Sequence, residues 1–370
     1  MKLAQAVVED EEEEELVNVP QTNFSAFRLK RELFSRSSVG FMFLNKQSSG
    51  NNYNRSIGMD AYFPVNENFS FYAAGAGTYS PEVDGESNGK RNNFAGNLGF
   101  SWESDLWEYG LSFLDIEDQF NPEMGFVRRT DIKQTEGRLA FKPRPAGITA
   151  VRQIEFGQTV QYQTDHNNNV LSKKFEGEYD VIFENTMRYS IDIEVEEEFL
   201  DEDWEVREGY NIPIGTYTVS EIRSRLSTNR SYAVHGNISG SMGKYYTGDK
   251  KGGEVELNLK AFGRLIGELR YNYDQINLPE GRFHTAIVSS RVSYTFSPDM
   301  FVRAFLQWYD DKLLNDGKNL FSANVIFRYI YKPGSDLYLV FNQENLMGGT
   351  GSDILQNRAI IAKLNYFFRR

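Results

Sequence analysis

The chain has 370 residues, a formal net charge of −12 and no cysteine. The missing thiols exclude disulfide scaffolds, thiolate metal sites and cysteine nucleophiles, and an acidic chain without a basic stripe is excluded as a nucleic-acid binder. No apolar run approaches the ~18 residues of a membrane-crossing helix, yet 28 Phe and 21 Tyr sit in a chain of polar mean hydropathy, as happens where apolar and polar residues alternate strictly.

The first 20 residues stand apart. Met1–Ala6 lacks the apolar core of a signal peptide. Glu9, Asp10 and Glu11–Glu15 form a like-charge block that repels itself and stays solvated. Residues 1–20 are expected to be a disordered acidic segment rather than a calcium- or cation-binding tail, with the folded part over residues 21–370.

From there one pattern repeats. Phe94, Gly96, Leu98, Phe100 and Trp102 alternate with Ala95, Asn97, Gly99, Ser101 and Glu103, and Trp107, Tyr109, Leu111 and Phe113 follow. Phe175, Gly177, Tyr179, Val181 and Phe183 alternate with Lys174, Glu176, Glu178 and Asp180. Met187, Tyr189, Ile191, Ile193 and Val195 alternate with Arg188, Ser190, Asp192, Glu194 and Glu196. Ala286, Val288, Ser290, Val292, Tyr294 and Phe296 repeat the split, as do Phe321, Ala323, Val325, Phe327, Tyr329 and Tyr331 against Ser322, Asn324 and Arg328. A period of two with one apolar face predicts strands. These run to about 10–14 residues, beyond the ~5–6 of an ordinary strand and enough for the ~9–11 tilted residues that cross a bilayer. Small residues between aromatic ends fit a lipid-facing band with aromatic girdles.

Connection lengths are expected to alternate too. Short ones fall at Val65–Glu67, Glu103–Asp105, Glu184–Asn185, Gly263–Arg264, Ser297–Asp299 and Pro333–Ser335. Longer polar ones fall at Ser80–Lys90, Asp118–Arg128, Leu200–Gly215, Thr247–Gly253, Asp310–Lys318 and Leu346–Asp353. Short turns on one side and long loops on the other predict an all-β, antiparallel transmembrane β-barrel in the outer membrane, its lipid the first partner. Counting hairpins predicts roughly 19 strands, the last carrying Ile360, Ala362, Leu364, Tyr366 and Phe368 on one face. Bacterial single-chain barrels use even numbers, so the expectation is the C-terminal portion of a larger barrel.

The polar face mixes signs. Arg188, Asp192, Glu194, Glu196, Glu254, Glu256, Glu268, Arg270, Asp274, Arg291, Arg303 and Arg328 are candidate lumen-lining charges, with Arg223 and Arg225 beside them. Two readings stay open: a charged pore selecting solutes, and cross-strand ion pairs filling or stiffening the lumen. His166, His235 and His284 are far apart with no second ligand at metal spacing. The carboxylates of 194–203 read as a strand face running into a solvated loop rather than as a glycosidase pair. No catalytic, metal or cofactor site is expected.

Four stretches carry a resemblance: Phe27–Gly40, with Arg28, Arg31, Arg36, Ser37, Ser38 and Gly40; Phe120–Asp131; Arg328–Asn342; and Ala362–Arg370. They resemble a family of bacterial outer-membrane proteins, mainly from Bacteroidetes and relatives, catalogued as a domain of unknown function. The resemblance implies a barrel preceded by a carbohydrate-binding-like module of the family-nine type, which these residues do not contain. It implies a pore, transport or anchoring role linked to carbohydrate or periplasmic proteins. A carbohydrate-active hydrolase-associated protein is the alternative, although no site in the chain supports the hydrolase label. Within the second stretch, Asn121, Pro122, Glu123 and Gly125, with Arg128 and Arg129, form a turn-rich loop expected to fold into the barrel mouth.

Overall fold

Side chains at successive positions of an extended backbone settle on opposite faces, and here the alternation is realised as strand between residues 23 and 365. The structure is a computed structural model. It describes residues 5–6, 17–18, 21–34, 36–48, 52–81, 93–207, 209–279, 281–311, 317–348 and 353–368, and no α-helix occurs among them. The acidic run of residues 9–15, most of the loop expected at 80–90, and Arg369 and Arg370 lie outside the described residues.

A short pair, β1 (Gln5–Ala6) with β2 (Val17–Asn18), comes first. Then follow β3 (Asn23–Leu33), β4 (Ser37–Gln47), β5 (Tyr53–Pro64), β6 (Phe69–Tyr79), β7 (Phe94–Glu103), β8 (Trp107–Ile116) and β9 (Ile132–Phe141). Next are β10 (Val151–Thr164), β11 (Val170–Phe183), β12 (Arg188–Leu200), β13 (Trp204–Arg207), β14 (Tyr210–Ile212) and β15 (Gly215–Ser227). The chain continues through β16 (Val234–Tyr245), β17 (Gly248–Ala261), β18 (Leu265–Leu278) and β19 (Gly281–Ser297). It closes with β20 (Met300–Asp310), β21 (Asn319–Lys332), β22 (Ser335–Met347) and β23 (Ile354–Asn365).

Among the described residues, nineteen long strands, β3–β12 and β15–β23, belong to one antiparallel β-barrel sheet, while β13 and β14 pair only with each other. The fold is therefore the all-β transmembrane barrel that the periodicity predicts, with the strand number that the hairpin count predicts. The long strands run from 10 to 17 residues, so each covers the ~9–11 residues of a tilted bilayer crossing.

Contacts divide the chain into two compact units. The first holds Met1–Ala140 and Thr159–Lys173. There β5 turns Asn54, Ser56 and Gly58 inward to buried positions and leaves Ile57 and Met59 exposed on the other face. The second holds Phe141–Gln158 and Lys174–Arg370. On its β16, Val234, Ile238 and Met242 are 61%, 56% and 60% exposed, while His235, Asn237 and Ser239 face the other way, opposite Asn258, Glu256 and Glu254. Apolar groups outward and polar groups on the other face is the reverse of a water-soluble core, and it suits a wall immersed in lipid. Aromatic pairs sit where strands meet short turns: Trp102 stacks on Tyr109 at 4.8 Å, and Tyr294 packs edge-on against Phe296 at 4.9 Å. Such rings belong at the lipid headgroup level.

Three connections depart from the expected alternation. Residues 248–253 are strand, not loop: β16 turns through Tyr246 and Thr247, and Lys250 and Gly252 continue the ladder opposite Ile276 and Asp274. The two glycines read as turn signals, but Gly252 is there for space, since a Cβ would crowd Asp274 Oδ1 and Ser241 Oγ. Residues 142–150, on the side of the short turns, make a nine-residue connection. The connection after β12 is not plain loop but carries the β13–β14 hairpin.

Candidate functional site

The polar face of the second unit is a ladder of ion pairs built by register. On β11 and β12, Lys174 Nζ lies 2.7 Å from Glu176 and 2.8 Å from Glu194. Arg188 donates to Asp180 at 2.6 Å and to Glu155 at 3.2 Å, and Ser190 Oγ donates to the same Asp180. Across β15–β18, Arg223 pairs with Glu221 at 2.6 Å, and Lys250 lies 3.6 Å from Glu221 and 3.8 Å from Asp274. Arg270, directly opposite Glu256 in the register, binds it at 2.6 Å; Arg291, opposite Glu268, lies 3.5 Å from it. Arg328 holds Asp336 at 2.6 Å on β21 and β22.

All twelve charges singled out from the sequence share this face. Asp192 lies opposite Arg223, Glu194 opposite Glu221 and Glu196 opposite Val219. Glu254 lies opposite Ser239 and Asn272. Arg303 and Arg291 also lie over the rings of Phe301 and Phe305, at 5.6 and 5.4 Å. Of the histidines, His235 is on the polar face, its Nδ1 3.0 Å from the Tyr232 carbonyl. His284 is on the apolar face, stacked on Tyr273. Among the described residues, no group of three His, Asp or Glu side chains is arranged to hold a metal.

In the first unit the loop after β8 is tied to the polar face of β5 and β6. Asn54, 2% exposed, donates through Nδ2 to the Asn121 carbonyl at 2.8 Å and accepts from Glu123 N–H at 3.2 Å. Asn121 N–H donates to Thr78 Oγ1 at 3.1 Å, and Lys46 pairs with Glu123 at 2.6 Å. Pro122 and Gly125 close the turn through Gly125 N–H to the Pro122 carbonyl at 2.8 Å. Arg128 is exposed and Arg129 half-buried. The sequence marks the loop residues but not Asn54, one polar residue among several and 67 positions from Asn121.

His166, in the turn between β10 and β11, closes the same end of this unit. Its Nδ1 meets Asp131 Oδ1 at 2.7 Å and its Nε2 meets Asp115 Oδ1 at 2.9 Å. Burial works against charge on the ring, but the hydrogen bonds to Asp131 and then Asp115 outweigh it and raise the imidazole pKa above its usual value.

The β13–β14 hairpin lies over the polar face at one end of the second unit. Ile212, fully buried, packs with Leu278 and Phe283, and Val206 and Tyr210 close round them. Arg207 pairs with Asp311, which is also fully buried and takes further hydrogen bonds from Tyr309 at 2.9 Å and Thr285 at 3.2 Å. Tyr246, in the turn beside it, donates to Glu198 at 2.7 Å. Burial first, and then that carboxylate, push its phenol pKa well up, so it stays a donor.

A family model described as "Domain of unknown function (DUF5916)" matches residues 2–289. The chain belongs to this family. The DUF5916 match runs into β19, so it contains the Asn54-anchored loop, the hairpin and the ladder from β11 to β18, while Arg291, Arg303 and Arg328 lie beyond it. No curated protein matches. Among solved structures, in-vitro folded OmpT, an outer membrane protein of Vibrio cholerae, is 10% identical, with 93% of this chain and 94% of that one covered and a TM-score of 0.30.

Proposed function

We propose that this DUF5916 chain is an outer-membrane pore whose lumen is the charged face and which favours small hydrated cations. A barrel wall with an apolar outer band needs lipid on that side, and its polar face then lines the interior. The observation that carries the reading is the row of Asp192, Glu194, Glu196 and Glu198 on one face of β12, with Glu194 directly opposite Glu221. Like charges directly opposite weaken a ladder; Lys174 sits against Glu194, and Arg223 and Lys250 against Glu221, while Glu196 and Glu198 carry the acidic row on along the strand. A wall that keeps such a row holds a negative potential that draws cations in.

Planar-bilayer recording of the full-length protein under a KCl gradient tests it. The expected reversal potential is that of a cation-preferring pore, moving toward zero in a Glu194→Gln/Glu196→Gln variant. Anion preference would overturn the reading. An anchoring barrel is the second form of the role, favoured by the two segments that cover the polar face, the loop after β8 and the hairpin; silence at every voltage is its signature.

Carbohydrate solutes and periplasmic protein partners stay within this reading on the strength of the family resemblance alone. The hydrolase alternative has less to stand on. Asp203, in the acidic loop, accepts the Ile214 N–H at 2.8 Å and helps to close the hairpin loop. We assign the chain no reaction and no cofactor.

A further inference from the structure

The polar face of β18 and β19 changes character at one end. Along β18, Glu268, Arg270 and Asp274 share a face with Ile276 and Leu278; along β19, Arg291, Ser289 and Thr285 share one with Phe283. Apolar side chains at the end of a charged, water-facing row are costly unless something covers them. The cover is the β13–β14 hairpin, and Leu278 and Phe283 beneath it are 7% and 8% exposed.

We infer that this hairpin is a latched constriction, folded over the end of the polar face and pinned there by Arg207 on Asp311. The latch is built for holding. Arg207 stands over the Phe283 ring at 4.8 Å as well as pairing with Asp311, and Tyr309 and Thr285 supply donors to a carboxylate fully removed from solvent. A buried carboxylate is tolerated only while its partner and donors are in place. Removing Arg207 therefore acts on the closed arrangement alone, because an opened Asp311 is solvated and loses nothing. The Arg207–Asp311 pair joins the hairpin to the end of β20, while Ile212 and Tyr210 seat it on β18 and β19.

The name constriction rests on the pore reading; the latched cover does not, and two readouts separate them. The chain has no cysteine, so Leu278→Cys places a single thiol under the hairpin without background. The protein is reconstituted in phospholipid vesicles and treated with a charged, membrane-impermeant methanethiosulfonate. Modification is expected to be slow with Arg207 present and faster on the order of 100-fold after Arg207→Ala, the scale of losing one partner of a buried pair. A second variant, with residues 204–212 replaced by a Gly-Ser linker, is expected to react as an open site and to conduct more than the parent in planar bilayers. Equal thiol rates with and without Arg207 would overturn the latch. Equal conductance of parent and excised chain would overturn the constriction. Silence from both chains, with the thiol difference intact, would overturn the pore reading and support the cover.

Discussion

His166 shows how much one side chain can couple. A doubly protonated imidazole donates from both nitrogens, and here both nitrogens face carboxylates, Asp131 and Asp115. The neutral ring donates from only one. The folded pKa is raised, so the clasp's contribution is complete below the ordinary histidine value near 6.5 and is lost as pH rises through the folded pKa. We expect a ring-proton titration by NMR, with His166→Asn identifying the resonance, to place this histidine above 6.5. Proteolysis of the loop after β8 should speed up across the same interval. A midpoint at or below 6.5 would refute the clasp. None of this is legible from the sequence, because the partners lie 35 and 51 residues away and only folding brings them together.

At the scale of the element, legibility follows length. A strand of ten or more residues repeats its two-residue period several times, so β7, β11, β12, β19 and β21 can be read with their faces assigned. β13 and β14 have four and three residues, too few for any period, and the hairpin is hidden inside a segment that reads as loop. Residues 248–253 fail for another reason: Gly252 and Gly253 carry turn chemistry, while Gly252 leaves room on the polar face beside Asp274 and Ser241.

Where the period is readable it predicts energies. Ile238 sits near the middle of β16 on the exposed apolar face, and Val234 begins the same strand on the same face. An arginine facing lipid costs about 2–4 kcal/mol at the bilayer midplane and about 0–1 kcal/mol near its surface. Ile238→Arg should therefore lose that larger amount in denaturant unfolding from liposomes, and Val234→Arg should lose little. Equal losses at the two positions would mean that β16 does not cross a bilayer with this face outward.

For the whole molecule, strand number and face assignment were open to sequence reasoning because both arise from a local rule repeated nineteen times. Pairing within the charged face was not, since the sequence leaves both a selecting pore and an ion-paired wall open. The structure contains both features at once: pairs such as Arg270 with Glu256, and on one face of β12 a row of four carboxylates, of which Asp192 lies opposite Arg223 and Glu194 opposite Glu221. The apolar face makes the last demand. Ile360 and Leu364 on β23 are 77% and 68% exposed, and with Ile238, Met242 and Met59 they form surface that water penalises and lipid does not. Refolding from urea should therefore give β-type circular dichroism and a protease-resistant species only when detergent micelles or liposomes are supplied, and aggregate otherwise. The measurement needs no knowledge of solute or partner. A monodisperse, β-rich monomer in plain buffer would show that the Phe, Ile and Val residues of the outer face are satisfied by water, which a membrane wall does not allow.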